Sequence, residues 1–404
     1  MNRVVVTGLG VVSPVGATLE EFWSAVVNGR SGIGQITIIP TERLNVRIAA
    51  QVGNFDPLAH FDPRRANHLD RVAQFAVVAA RAAVRDAQIE VDEELSRKIA
   101  CVVGTGVGGQ NTQDDQYFRL YAQNSSKLHP LTIPRLMFNA AASHVSMDLH
   151  LKGPTYTVAT ACASGTHAIG QAFHMVRSGQ APLAIAGGTE ACITVGTMKG
   201  WEALRVLSSD TCRPFSMTRS GLVLGEGSAM MVLEPRERAV KRGARIYAEL
   251  LGFGMSADAA DLTAPDVDGG TRAMEAAVHD ARTNVDEVDY VNAHGTGTVA
   301  NDRTETAALH QVFRSCPEHL AVSSSKGVLG HGLGAAGALE LAVTALAIDR
   351  KVIPPTANFE EPDPECDLDV VPNVARQGCI RKAMSNSFAF GGLNAVLIFG
   401  PPPA

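Results

Sequence analysis

The chain repeats itself. Asp86-Ala87-Gln88-Ile89-Glu90-Val91-Asp92-Glu93 recurs as Asp280-Ala281-Arg282-Thr283-Asn284-Val285-Asp286-Glu287, with five of eight positions identical. Each copy follows an Ala-rich helical stretch and precedes a strand-like run leading to Gly-Thr-Gly, at Gly104 to Gly106 and again at Gly295 to Gly297. Gly8-Leu9-Gly10 after the first strand is echoed by Gly252-Phe253-Gly254. Cys162-Ala163-Ser164-Gly165 falls where His331-Gly332-Leu333-Gly334 falls in the second copy. Chance among Gly- and Ala-rich loops explains one such match, but it does not keep several in order. The sequence therefore reads as two copies of one αβ unit, 1–245 and 246–404. A site drawing on both copies lies between them.

A length of 404 residues suits such a doubled unit, being more than one ordinary core fills. Short β-branched runs at Arg3 to Thr7, Ile99 to Val103, Tyr156 to Thr160, Leu183 to Ala186, Val288 to Asn292 and Leu320 to Ser323 predict strands. Ala-rich stretches at Arg71 to Asp86, Thr166 to Ser178 and Gly337 to Arg350 predict helices between them. The alternation predicts an α/β fold with largely parallel sheets.

Charge and composition narrow the function. A net charge of −6, a pI near 6.1 and only 5% aromatic residues argue against a protein that wraps nucleic acid. The seven cysteines are odd in number, scattered and without a C-x-x-C pair, so neither a disulfide framework nor a zinc knuckle is predicted. His144, His167 and His174 show no metal spacing. No apolar run is long enough for a membrane span, and Met1 to Gly8 enters a strand without a signal-peptide pattern. A reducing cytoplasm fits these features.

Four motifs carry chemistry. Thr160-Ala161-Cys162-Ala163-Ser164-Gly165 places a cysteine where a strand gives way to a helix, whose positive end favours thiolate; a buried core cysteine is the plain alternative. Asn292-Ala293-His294-Gly295-Thr296-Gly297-Thr298 puts a histidine at a strand end, where its ring can donate to a developing oxyanion. An ordinary loop histidine is the alternative there. Ser325-Lys326 through His331 to Gly337 sets a lysine and a second histidine at another strand-to-helix junction. Asp302 and Glu305 are candidate partners for Lys326. Asn386-Ser387-Phe388-Ala389-Phe390-Gly391-Gly392-Leu393-Asn394 suits a mobile flap with free backbone N–H donors, or a plain β-turn.

These motifs, in this order and over essentially the whole chain, resemble the β-ketoacyl-acyl-carrier-protein synthases of the thiolase superfamily, and the elongating type II enzymes most of all. Val4 to Pro14 and Leu224-Gly225-Glu226-Gly227 match the same pattern. The resemblance implies thiolase-like duplicated halves in a layered αβαβα sandwich and a homodimer. It implies that Cys162 carries the acyl chain while His294 and His331 promote decarboxylation of a malonyl thioester. Backbone N–H groups of Cys162 and Phe390 would form the oxyanion hole, and Lys326 would pair with Glu305. Thr296 and Thr298 would hold the phosphopantetheine arm that arrives on the acyl carrier protein, the enzyme binding no cofactor of its own. Phe390 would gate an acyl tunnel lined by Val107, with Phe388 beside the substrate.

Carrier protein is acidic, so a basic landing patch is expected: Arg64, Arg65 and Arg71 cluster in sequence, and Lys127 and Arg205 match carrier-facing positions of the family; scattered solvated charge is the alternative. The flap departs from the family at Ala389 and Leu393, where Gly and Thr are usual, and Ser220 stands where Asp is expected. The short loop within Leu204 to Ser216 also resembles the rhizobial nodulation-synthase subgroup. A degradative thiolase needs a second cysteine in a Gly-flanked loop, which Cys379 does not supply. Initiating synthases carry Asn at the His331 position, and a non-catalytic chain-length factor lacks the nucleophile. Gly104-Thr105-Gly106-Val107-Gly108-Gly109 satisfies G-x-G-x-x-G, a weak pointer to dinucleotides when it stands alone.

Overall fold

The computed structural model describes residues 1–314 and 320–402; Cys316 lies outside them. Ten strands form one mixed sheet: β1 (Val4–Val12), β2 (Ala100–Gly104), β3 (Thr155–Val158), β4 (Ala184–Glu190), β5 (Gly227–Pro235), β6 (Ala248–Ala257), β7 (Tyr290–Asn292), β8 (Ala321–Ser323), β9 (Ala383–Ser387) and β10 (Leu393–Gly400). Across the sheet they run β8-β7-β9-β10-β6-β1-β5-β4-β2-β3. Counted outward from the centre, each half has the same order: first, fifth, fourth, second, third. The halves meet where β1 and β6 pair antiparallel, Val4 opposite Leu250 and Val6 opposite Ala248.

The expected parallel sheets hold only at the two outer ends. The strands are antiparallel through the centre, where β5 pairs with β1 and β4 and β10 pairs with β6 and β9. Direction follows from the connections rather than from hydrophobic period. The short flap between β9 and β10 can only return the chain antiparallel, whereas parallel neighbours need long crossovers.

Helices complete five layers. The principal ones are α1 (Arg71–Asp86), α2 (Gln110–Tyr121), α3 (Ala140–Asp148), α4 (Ser164–Arg177), α5 (Val195–Leu204), α6 (Val267–Asp280), α7 (Val299–Val312) and α8 (Ala336–Arg350). α1 and α3 cover the outer face of the first half, α6 and α7 that of the second, and α4 and α8 pack together between the two. α8 is buried along almost its whole length, which explains its run of Ala, Leu, Val and Ile.

The repeat is physical as well as textual. The Asp86 carboxylate accepts the Leu9 N–H at 2.9 Å, and Asp280 accepts the Phe253 N–H at 2.9 Å. A Cβ on Gly10 would stand 2.0 Å from the Ala79 carbonyl oxygen, and one on Gly254 would stand 2.2 Å from that of Ala273. Each glycine thus lets an outer helix lie directly on a central strand. One expected equivalence shifts. The turns Ala161–Ala163 and Leu333–Ala335 superimpose in role, each opening with a residue at positive φ (Ala161 +48°, Leu333 +44°) and running into a central helix. Cys162 therefore corresponds to Gly334, not to His331; runs of Gly and Ala carry too little shape to set register.

Candidate active site

Cys162 lies in the turn between β3 and α4. Thr160 N–H donates to the Ser164 hydroxyl (2.8 Å), which donates back to the Ala161 carbonyl (2.7 Å). That clasp holds Ala161 in the left-handed region, a conformation costing about 1–2 kcal/mol for a residue with a Cβ. The tight turn presents the sulfur to a cavity while leaving Cys162 only 5% exposed. Burial pushes the thiol up to about 11, against the pull of Lys326 and of the Phe390 N–H bonded to the sulfur. Removal from water is the largest of these influences and works against the thiolate that the helix terminus favours.

His294 follows β7 on a loop held by two buried carboxylates. Glu305 accepts the N–H groups of His294 (2.8 Å) and Gly295 (2.7 Å), and Asp302 accepts those of Gly297 (3.2 Å) and Phe215 (2.8 Å). Burial raises Asp302 to about 6. The predicted pairing of Lys326 with Glu305 does not occur. Lys326 Nζ forms its ion pair with Glu340 on α8 and reaches the His294 carbonyl at 2.5 Å and its Nδ1 at 3.4 Å. Glu305 is already occupied by backbone donors and Asn386 Nδ2 (3.2 Å). The sequence did hold a pointer: Glu340 is the one acid among the buried residues of α8, and a carboxylate there needs a partner.

The His331 N–H donates to the Val223 carbonyl at 2.7 Å. Its ring stands edge-on to that of His294, centroids 5.4 Å apart. Both imidazoles are held well below their ordinary pKa, by burial first and by the Lys326 charge second, so both are neutral near pH 7. Phe388 packs 6.1 Å from the His294 ring.

One cavity of about 320 Å³ is lined by Cys162, His294, His331, Thr296, Thr298, Phe388 and Phe390. The Thr296 and Thr298 hydroxyls are 2.8 Å apart on its wall. Thiol and imidazoles, from opposite halves, thus share one chamber. Ala389 is not among the residues at positive φ; Gly391 (+84°) and Gly392 (+68°) take those angles, so the flap accommodates alanine without backbone strain. Ser220 makes a 2.8 Å hydroxyl contact with Ser208. Val107 stands outside this chamber and lines a separate hollow of about 660 Å³.

Glu190, which sequence reasoning passed over, joins the halves beside the cysteine. Its carboxylate accepts from Thr105 Oγ1 (2.8 Å) and from the N–H groups of Gly106 (2.7 Å) and Gly334 (2.9 Å). Its pointer was an acid closing a strand of Gly-Gly-Thr in an otherwise apolar setting. The G-x-G-x-x-G loop is therefore filled by a carboxylate from within, not shaped for a dinucleotide phosphate.

The predicted basic patch divides. Arg64 and Lys127 are exposed, and Asn67 and His129, 3.1 Å apart, bring their segments together. Arg205 is exposed at the end of α5, between Leu204 and Val206 of the cavity wall. Arg65 pairs with Asp148 at 2.6 Å. Arg71 does not belong: it forks onto buried Glu226 (3.0 and 2.6 Å) and stacks over Phe75, a packing role. The described cysteines are all free, and Cys379 is exposed away from the cavity. Among the described residues no cluster of His, Cys, Asp or Glu is arranged to hold a metal, and no helix is long and apolar enough to cross a membrane.

Comparison with known proteins agrees with this geometry. The β-ketoacyl synthase N-terminal domain matches residues 1–239, and the C-terminal domain matches residues 247–360. Nodulation protein E of Rhizobium sp. (strain N33) is 45% identical, with 98% of this chain and 99% of the relative aligned. The 3-oxoacyl-[acyl-carrier-protein] synthase 2 of Staphylococcus aureus (strain COL) is 44% identical, with 98% of each aligned. Among solved structures, the ishigamide ketosynthase/chain length factor superimposes with a TM-score of 0.95 at 39% identity, covering 99% of each chain. A type II polyketide ketosynthase in complex with its acyl-carrier protein gives a TM-score of 0.89 at 31% identity, again over 99% of each chain. With both domains matched in order and relatives aligned from end to end, the chain belongs to the β-ketoacyl synthase family of condensing enzymes, on the thiolase fold.

Proposed function

We propose that the chain is an elongating 3-oxoacyl-acyl-carrier-protein synthase that uses Cys162, His294 and His331 in named roles. The observation that carries this reading is the single chamber in which a first-half thiol faces two neutral second-half imidazoles. Cys162 attacks an acyl thioester on the carrier protein; the carrier's thiol leaves with the proton, and the acyl group stays on the sulfur. A malonyl thioester then enters on its phosphopantetheine arm between Thr296 and Thr298, the arm being supplied by the carrier rather than by a bound cofactor. His294 and His331 donate hydrogen bonds to its carbonyl oxygen. The bond to the carboxylate breaks, carbon dioxide departs, and the electron pair is held as an enolate. Neutral donors aimed at developing charge in a water-poor site suit this step without base or metal. The enolate carbon attacks the acyl-cysteine carbonyl, the oxyanion rests on the N–H groups of Cys162 and Phe390, and collapse expels the sulfur as a thiolate, which takes up one proton from water to restore the thiol. The product is a 3-oxoacyl chain two carbons longer.

Lys326, paired with Glu340, and the carboxylates Glu305 and Asp302 position the His294 loop. Arg64, Lys127 and Arg205, with Arg65 in support, receive the acidic carrier, and Val107 borders the hollow that takes the acyl tail. The halves 1–245 and 246–404 act as one unit in a homodimer. β3 supports that assembly: among the described residues it is an outer strand paired only with β2, exposes Tyr156, and adjoins exposed Phe138. The free cysteines suit a reducing cytoplasm. The likeness to nodulation protein E extends the substrates worth testing to unusual acyl chains. Mass spectrometry of products from a panel of acyl-carrier primers with malonyl-carrier protein tests the reading. Chains longer by two carbons support it; release of carbon dioxide without any extended product, or no acyl transfer at all, refutes it in favour of a scaffold subunit.

A further inference from the structure

Glu190 ends β4 fully buried, with hydrogen-bond donors against both carboxylate oxygens. Oε2 accepts the N–H groups of Gly106 (2.7 Å) and Gly334 (2.9 Å). Oε1 accepts the Thr105 hydroxyl (2.8 Å) and, more distantly, the Val107 N–H (3.4 Å). Thr105 Oγ1 is itself the acceptor for the Gly108 N–H at 3.2 Å, which turns its proton toward Glu190. These four partners are uncharged and all donate; a protonated acid would set its O–H against one of them.

Around this carboxylate, main chain packs on main chain. A Cβ on Gly106 would stand 2.8 Å from Glu190 Oε2 and 3.6 Å from the Ala161 carbonyl oxygen. One on Gly334 would stand 2.2 Å from the Gly106 nitrogen, and one on Gly165 would stand 3.0 Å from the Gly334 carbonyl oxygen. Gly106 therefore lies between Glu190 and the turn that carries Cys162, with the Gly334 turn of the other half closing the stack. The imidazoles have other anchors. His331 exchanges main-chain bonds with Val223 (2.7 Å) and Gly225 (2.9 Å), and Glu305 and Asp302 hold the His294 loop.

We propose that Glu190 is a positioning residue for acyl transfer: its carboxylate fixes the Gly106 backbone behind the Ala161–Cys162 peptide and so aims the Cys162 N–H at the oxyanion. The oxygen and N–H of a trans peptide point opposite ways, so support behind the Ala161 oxygen sets where that N–H points. This role rests on the reading of Cys162 as acyl acceptor. A proton on Glu190 leaves one donor without its acceptor, and the support slackens. Burial raises the carboxyl to about 7 against the pull of its donors. Cys162 and Cys192 are the titratable groups that face it. Burial lifts Cys162 to about 11 and Cys192 well above its ordinary value, so neither titrates between pH 6 and 8. The Gly106 loop and the Gly334 turn carry no titratable side chain, and the charges beyond them are paired, Glu226 with Arg71 and Glu340 with Lys326.

The test follows two rates on one thiol from pH 6 to 8: transfer from octanoyl-carrier protein, by stopped flow and intact mass, and alkylation by iodoacetamide. Both draw on the thiolate, but only acyl transfer uses the N–H donors, so their ratio removes the thiol's own titration. In the parent, the ratio of transfer to alkylation is expected to fall as pH drops, with a midpoint near 7. Glu190→Gln has the shape of the protonated acid. Its ratio is expected to lie about ten- to a hundredfold below the parent's at pH 8 and to stay flat with pH, while carbon dioxide release from malonyl-carrier protein keeps the parent rate. Thr105→Val removes one donor and should move the midpoint up by about one pH unit; this variant and the parent profile decide the matter even if the glutamine variant does not fold. A flat parent ratio, a midpoint unmoved in Thr105→Val, a glutamine variant with the parent's ratio, or a folded one whose decarboxylation falls as far as its acyl transfer each overturns the positioning role. A parent that takes no acyl group overturns instead the reading of Cys162 on which the role rests.

Discussion

Replacing Lys326 by alanine isolates the buried charge pair that supports the histidines. Lys326 and Glu340 are 1% and 3% exposed at their side chains, and the second Glu340 oxygen has no hydrogen-bond partner. Removing the ammonium strands a carboxylate in apolar surroundings, a change that costs about 3–5 kcal/mol when one member of a buried pair is lost. The chain has a way to lower that cost, which is to protonate Glu340. Burial already raises this carboxyl above its ordinary value while Lys326 holds it down, so the substitution raises it further. The folded variant then binds a proton over a pH range in which the unfolded chain does not. Its stability is greatest below the unfolded carboxylate's pKa and falls as pH rises toward the raised folded value, at about 1.4 kcal/mol per pH unit. Urea unfolding followed by circular dichroism from pH 5 to 8, expressed as variant minus parent, reads both quantities. Lys326→Met combined with Glu340→Leu removes both charges and should recover most of the loss. A Lys326→Ala protein as stable as the parent at pH 7.5, or a difference flat across the range, would refute the reasoning.

Alanine at His294 or His331 should lower malonyl decarboxylation about 10²–10³-fold while Cys162 still accepts an acyl group in a mass measurement. Because both imidazoles lie well below their ordinary pKa, the parent's decarboxylation rate should not fall as pH drops from 8 to 6; an acid limb centred near 6.5 would contradict their neutrality. Reversing Arg64 and Lys127 to glutamate should raise KM for the carrier protein several-fold with little change in kcat, and flatten the dependence on salt. Equal KM values in parent and variant at low salt would remove these residues from the landing surface.

What the sequence made legible was set by pattern length. α1 spans Arg71–Asp86 as the Ala-rich period predicts, and the predicted strands lie within a few residues of those observed. Cys162 and His294 were readable because strand-to-helix and strand-to-loop junctions fix where a side chain emerges. Strand direction was not readable, since alternation has no sense along the chain. Partner choice was harder still. Glu305 lies near His294 in sequence, yet its carboxylate is spent on the backbone of that loop, and the lysine turns to Glu340, one helix away. Arg71 looked like its neighbours Arg64, which is exposed, and Arg65, which is half-buried, because charge alone does not report burial; only the fold shows Glu226 beneath it. Glu190 makes its contacts across the halves, which no local window contains.

Peptide mapping by mass spectrometry after loading from an acyl-carrier protein bears most directly on the shared chamber of thiol and imidazoles. The acyl mass should reside on the peptide containing Cys162 alone, and disappear when malonyl-carrier protein is added, as the extended product forms. Acyl mass on any other cysteine, or an acyl-Cys162 that persists undiminished beside malonyl-carrier protein, would contradict the account.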